Sequence, residues 1–150
     1  MEALILTGSN GADITGNEFA NELTGNIGNN QALGLGDDVY VVVYAADSIV
    51  VELANEGNST AQSAITFSLP DDVENLILTG NFSDDPWIVY TDGLGNALDN
   101  EITGNDGFNQ LYGFDGQDSV DGRVGNDTLD GDDKPIGSLT QKSNYTDVIS

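Results

Sequence analysis

The chain has no cysteine and no histidine, and only three basic residues, Arg123, Lys134 and Lys142, among its 150. Without cysteine there is no disulfide and no thiol catalysis. Without histidine the commonest general base and nitrogen ligand are both missing. The three bases face 26 acids, for a net charge of −23. That leaves no basic footprint for a nucleic acid, and none for an anionic membrane. No apolar run approaches the ~20 residues of a membrane-spanning helix. No basic start followed by an apolar run marks a secretory leader. Helical signals are also scarce. Few stretches exceed roughly ten residues without Gly, Pro or Asn, and a 3.6-residue period is absent.

What the sequence does have is glycine, asparagine and aspartate in phase. Residues 95–130 read GNALDNEIT, GNDGFNQLY, GFDGQDSVD and GRVGNDTLD, four nonapeptides in unbroken register. Glycine opens each, at Gly95, Gly104, Gly113 and Gly122, and returns in the fourth place at Gly107, Gly116 and Gly125. The sixth place holds Asn100, Asn109, Asp118 and Asp127, and the eighth Ile102, Leu111, Val120 and Leu129. Glycine allows the tight turn and close backbone approach, the sixth residue brings an oxygen to that turn, and the aliphatic residue is the single inward side chain of a very short strand. Two nonapeptides then close a coil of 18 residues, with residues 18 apart stacked at roughly the 4.8 Å strand spacing. Asn100 lies over Asp118, and Asn109 over Asp127. Two stacked carboxylates about 5 Å apart repel by ~3 kcal/mol at an effective dielectric near 20, and a dication between the turns reverses that sign. Oxygen ligands without His or Cys favour Ca²⁺ over zinc or copper, and carbonyls in variable geometry favour it over Mg²⁺. A merely solvated acidic surface is the alternative, but these acids fall in phase with the turns.

The pattern resembles the RTX (hemolysin-type) calcium-binding nonapeptide GGxGxDxUx, a β-helix repeat. The resemblance implies an all-β, right-handed parallel β-roll in which Ca²⁺ lies between successive turns, shared by sixth-place side chains and glycine-turn carbonyls. Carried onto this chain, one site uses the Asn100 and Asp118 loops and another the Asn109 and Asp127 loops. A third joins the Asp118 loop to Asp132 or Asp133. Gly104, Gly107, Gly113, Gly116, Gly122 and Gly125 supply the turns. The chain departs from the pattern at Asn100 and Asn109, since a neutral amide is a poorer calcium ligand than a carboxylate.

The repeat unit occurs twice. MEALILTG at 1–8 returns as VENLILTG at 73–80, and GNEFANELTGN at 16–26 as GNALDNEITGN at 95–105. The start therefore reads as a cut within a longer repeat protein. The first array, 8–38, is looser, with Asp13, Asn21, Asn30 and Asp38 as its sixth-place residues and further calcium ligands. Asp13 is expected near Asn30, and Asn21 near Asp38. Residues 39–94 lose the nine-residue beat but keep apolar, β-branched stretches of strand length. They resemble the spacer between RTX arrays and are expected to form wider coils of the same roll, a separate antiparallel sandwich being the alternative. The second array ends at 133, where Lys134 and Pro135 break the pattern. Residues 134–150 read as a polar cap for an open solenoid end or a disordered tail. Their last residues, TDVIS, resemble the ends of type I secretion signals. The whole, 1–150, reads as one module.

No constellation favours catalysis. The acidic pairs Asp37–Asp38, Asp71–Asp72, Asp84–Asp85 and Asp132–Asp133 sit in turns, and Trp87 beside Tyr90 reads as packing more readily than as a sugar platform. The expectation is a non-catalytic, secreted calcium-binding module that folds on meeting calcium after export. The alternative is a polysaccharide-binding accessory module, similar in repeat type to those of alginate-modifying epimerases, or an adhesin repeat.

Overall fold

The computed structural model describes residues 1–44, 49–80, 90–131, 138–140 and 148–149. Among them there is no helix, and the chain winds into a parallel β-solenoid. One long sheet runs its full length. It takes β1 (Glu2–Ile5), β3 (Asn21–Thr24), β5 (Val39–Val42), β7 (Thr60–Ser63), β9 (Asn75–Leu78), β11 (Glu101–Thr103), β13 (Ser119–Asp121) and β15 (Ser138–Thr140), in that order. The other strands form two shorter sheets. The first has β2 (Ile14–Thr15), β4 (Gln31–Leu33) and β6 (Ile49–Val51). The second has β8 (Phe67–Ser68), β10 (Gly93–Leu94), β12 (Gln110–Tyr112), β14 (Thr128–Asp130) and β16 (Val148–Ile149).

Every strand pairing among the described residues is parallel. Parallel neighbours need a long crossover, most often a helix. Here the crossover is a turn, a short strand in the opposite sheet and a second turn. In the second array this advances 18 residues per coil, with Asn100 above Asp118 and Asn109 above Asp127. The spacer is less regular: Asp38 to Ser59 spans 21 residues, Ser59 to Glu74 spans 15, and Glu74 to Asn100 spans 26. Its strands β5, β7 and β9 pair in parallel within the long sheet, so the described part of the spacer continues the roll rather than forming an antiparallel sandwich. Beyond residue 131, β15 and β16 add a further strand to the long sheet and to the second short sheet.

The core is a narrow column between the sheets. Ile102, Leu111, Val120 and Leu129 are all inward and fully buried. Each is the middle of a three-residue strand whose neighbours are more exposed, as the two-residue side-chain period requires. In the long sheet Leu23, Tyr40, Ala61, Leu76, Ile102 and Val120 lie directly in register. Gly93 pairs with Leu111, and a Cβ there would meet methyl groups of Leu111 and Leu76 at 3.0 Å. Two large neighbours already fill that inward position.

Candidate metal centre

The sixth-place residues stand at the starts of strands in both faces of the roll. Asn21 opens β3, and Asp38, Asn100 and Asp118 directly precede β5, β11 and β13 of the long sheet. Asn30, Asn109 and Asp127 directly precede β4, β12 and β14 of the short sheets. Asn21, Asp38, Asn100, Asn109, Asp118 and Asp127 are each at most 2 % exposed, and Asn30 is nearly as buried. These predicted residues are brought together in stacks. The backbone N–H of Asn21 donates to Asp38 Oδ1 at 2.8 Å, and those of Asn100 and Asn109 donate to Asp118 and Asp127 Oδ1 at 2.9 Å.

The opening glycines are fixed by these side chains. A Cβ on Gly104 would lie 2.5 Å from Asn109 Oδ1, and one on Gly122 2.6 Å from Asp127 Oδ2. Gly34 and Gly113 stand the same way against Asp38 and Asp118, and Gly95 against Asn100. The fourth-place glycines instead rest on the coil below. Gly116 and Gly125 have φ of 129° and 156°, and their missing Cβ atoms would strike the carbonyl oxygens of Leu98 and Gly107.

Asp13 departs from expectation. Asn30 Oδ1 accepts from Ala12 N at 3.2 Å, so Ala12 takes the stacked place. Asp13 lies one residue further on, exposed, with its Oδ1 accepting from Gln31 N at 3.3 Å. The inward residue sets the phase: Ile14 is the buried one, so the residue missing from GSNGADIT comes out of the turn before Ala12. Asp132 and Asp133 lie outside the described residues, as do Trp87 and the pair Asp84–Asp85.

Two sets of participants are not apparent from the nine-residue period alone. The ladder of sixth places continues through the spacer, where Asp38 N donates to Ser59 Oγ at 3.1 Å and Ser59 N to Glu74 Oε2 at 2.8 Å. Each stands directly before a strand, which is the sequence signal. The other set is the second-place asparagines Asn17, Asn26, Asn96 and Asn105. Their Oδ1 atoms accept from the backbone N–H two residues on, at 2.8–3.0 Å, and the recurring Gly-Asn dipeptide marks them.

The chemistry of the aspartate turns suits a hard cation. Each buries a carboxylate from water, which costs several kcal/mol without compensation, in a chain with few bases. Around it are backbone carbonyls and amides packed closer than any Cβ would permit. No group of three acids gathers among the described residues, so the donor set is one carboxylate per turn with carbonyl oxygens, all oxygen and no nitrogen. Ca²⁺ accepts such a set.

Comparison with known families agrees. Residues 94–129 match the RTX calcium-binding nonapeptide repeat, in four copies. No curated protein and no solved structure matched the chain. Residues 94–129 therefore carry repeats of the calcium-binding nonapeptide type, set within a parallel β-solenoid.

Proposed function

We propose that the chain is a non-catalytic module of a secreted bacterial protein, unfolded at low calcium and folding outside the cell once calcium is available. The observation that carries this is the burial of Asp38, Asp118 and Asp127 in glycine turns that admit no larger residue. Asp118, with carbonyls of its own turn and of the Asn100 turn, would hold one ion. Asp127 with the Asn109 turn, and Asp38 with the Asn21 turn, would hold others. Bound there, calcium would supply positive charge to a stack of buried carboxylates. The chain contributes the rest: glycines bring the turns close, and the backbone N–H groups of Asn21, Asn100 and Asn109 orient one carboxylate oxygen each. Below calcium saturation the short strands, with one inward residue apiece, bury too little to hold the turns. Export by a type I system suits a chain that stays unfolded until it leaves the cell.

Circular dichroism during calcium titration is the test. A cooperative gain of β signal, weakly reproduced by Mg²⁺ and reversed by chelator, is the expected result. An unchanged spectrum and melting temperature in excess chelator would refute folding on calcium.

A second reading, a polysaccharide-binding module, draws on two stacked aromatic pairs. Tyr90 and Phe108 have ring centroids 5.9 Å apart, and Tyr112 and Phe114 6.3 Å apart. Tyr90 and Phe114 are exposed. Such faces can take sugar rings, although a net charge of −23 repels anionic glycans unless calcium bridges them. Affinity electrophoresis in neutral and acidic glycans, with and without calcium, separates the readings.

A further inference from the structure

The turns are of two kinds, and the difference lies in which end of the sixth-place side chain meets the coil below. In Asn100, Nδ2 donates to Glu74 O at 3.1 Å and to Asn96 Oδ1 at 3.1 Å, while Oδ1 accepts from Asn96 N at 2.8 Å. In Asn109, Nδ2 donates to Thr91 O at 2.6 Å and to Asn105 Oδ1 at 3.2 Å, while Oδ1 accepts from Asn105 N at 2.9 Å. Turning either amide over would set oxygen against oxygen at Glu74 and Thr91, so the carbonyls below fix its orientation. In Asp118 and Asp127 the polarity toward the coil below is inverted: an oxygen faces it and accepts a backbone N–H.

We propose that the turns of Asn100 and Asn109 are metal-free by construction, the amide N–H group occupying the role that a cation plays in the aspartate turns of the same array. On this view the side chains of Asn100 and Asn109 are not calcium ligands, and the calcium requirement of this array rests on the turns of Asp118 and Asp127. The inference rests on the calcium reading above and says where in the roll that reading applies.

Three observations carry it. An N–H donor pointed at a carbonyl presents positive charge to it, and a cation could use that oxygen only by displacing the donor. The amide is also satisfied at both ends, so it needs no ion to be buried. Asn30 stands apart: its Oδ1 accepts from Ala12 N on the coil below, as the aspartates do, while its Nδ2 donates to Gly28 O at 2.7 Å and to Asn26 Oδ1 at 3.2 Å within its own turn. The third observation is a pairing of positions. Asn17 accompanies Asn21, Asn26 accompanies Asn30, Asn96 accompanies Asn100 and Asn105 accompanies Asn109. Where the sixth place is aspartate, the residue after the opening glycine is Leu35, Phe114 or Arg123. The last two adopt φ of 73° and 59°, a different turn. Each asparagine pair forms a self-sealed turn, and each aspartate turn at 38, 118 and 127 is stacked on one.

The test exchanges the turn types in the full chain. Phe114→Asn with Asp118→Asn should remove one calcium per chain by calorimetry and raise the melting temperature in chelator above wild type. Asn105→Gly with Asn109→Asp should add one calcium and lower the melting temperature in chelator. A first variant that keeps full stoichiometry, or that fails to fold in calcium, overturns the inference, as does a second variant with no added ion. A wild type that binds no calcium overturns the calcium reading and this inference together, whereas the preceding outcomes leave that reading standing.

Discussion

A residue's worth in this molecule is set by the space a Cβ would need and by the sign of backbone φ. Gly125 has φ of 156° and would place a Cβ against the Gly107 carbonyl, which belongs to the backbone of another coil and cannot rotate away. Gly125→Ala should therefore cost about 1–3 kcal/mol, the range for overpacked sites, read as a lower unfolding midpoint in saturating calcium. The reverse holds at Arg123, a side-chain-bearing residue at φ of 59°, where the left-handed region costs about 1–2 kcal/mol. Arg123→Gly relieves that strain and loses part of the gain to the unfolded chain's freedom. The net expectation is a stabilisation of up to about 1 kcal/mol by thermal melting. Glu52 follows a third rule. Its burial, reinforced by Asp38 and Glu56 and opposed by hydrogen bonds from Tyr40 and Ser59, raises its pKa above the ordinary carboxylate value. The folded state thus keeps this proton to higher pH than the unfolded state does. The contribution is full below the unfolded pKa and is lost as pH rises through the raised folded one. In chelator, Glu52→Gln should flatten the loss of stability with rising pH over that window and be the more stable protein at neutral pH. Chemical denaturation across pH measures both. At this scale the sequence showed the sixth places and the opening glycines, because identity and period suffice there. It hid Asp13's displacement, because a shortened repeat does not say which residue was lost. It hid the second-place asparagines' bonds, because those depend on φ.

The element is a strand of three residues with one inward side chain, and its stability is borrowed from neighbours above and below. Leu111 is fully buried in β12 and pairs with Gly93 on one side and Leu129 on the other. Gly93 brings no side chain of its own, so truncating Leu111 empties a site that the adjoining coil cannot refill. Leu111→Ala should cost about 2–5 kcal/mol, measured by denaturant unfolding in calcium, with β10 and β14 losing amide protection together. The nine-residue beat made the array's strands and inward residues legible in advance. The spacer kept only strand-like composition. Its place in the long sheet follows from coils of 21, 15 and 26 residues, whose lengths no short period encodes. What holds those coils in register is partly local chemistry: Ser59 and Glu74 continue the ladder that Asp38 begins.

Across the whole molecule the net charge of −23 opposes any compact state, and calcium and salt relieve that opposition differently. Mobile ions screen charges beyond the Debye length, about 30 Å at 0.01 M and about 10 Å at 0.1 M. They act weakly on carboxylates already buried in turns. Raising NaCl over that range in chelator should lift the melting temperature of whatever structure persists, while leaving calcium stoichiometry at saturation unchanged. A salt titration followed by calorimetry reports both quantities.

The two faces of the roll are not equivalent. On one, β5, β7 and β9 carry an unbroken ladder past the middle of the chain. On the other, β6 ends the first short sheet and β8 begins the second, with no pairing between them among the described residues. In mechanical terms this is a girder with one continuous flange and one slit flange. Among the described strands, a pull along its axis crosses the slit through β7 and its two neighbours, and a bending moment is expected to find least resistance at that level. That level lies in the spacer, away from the glycine turns of the second array, so a load that bends the rod is expected to spare the geometry of the aspartate turns there.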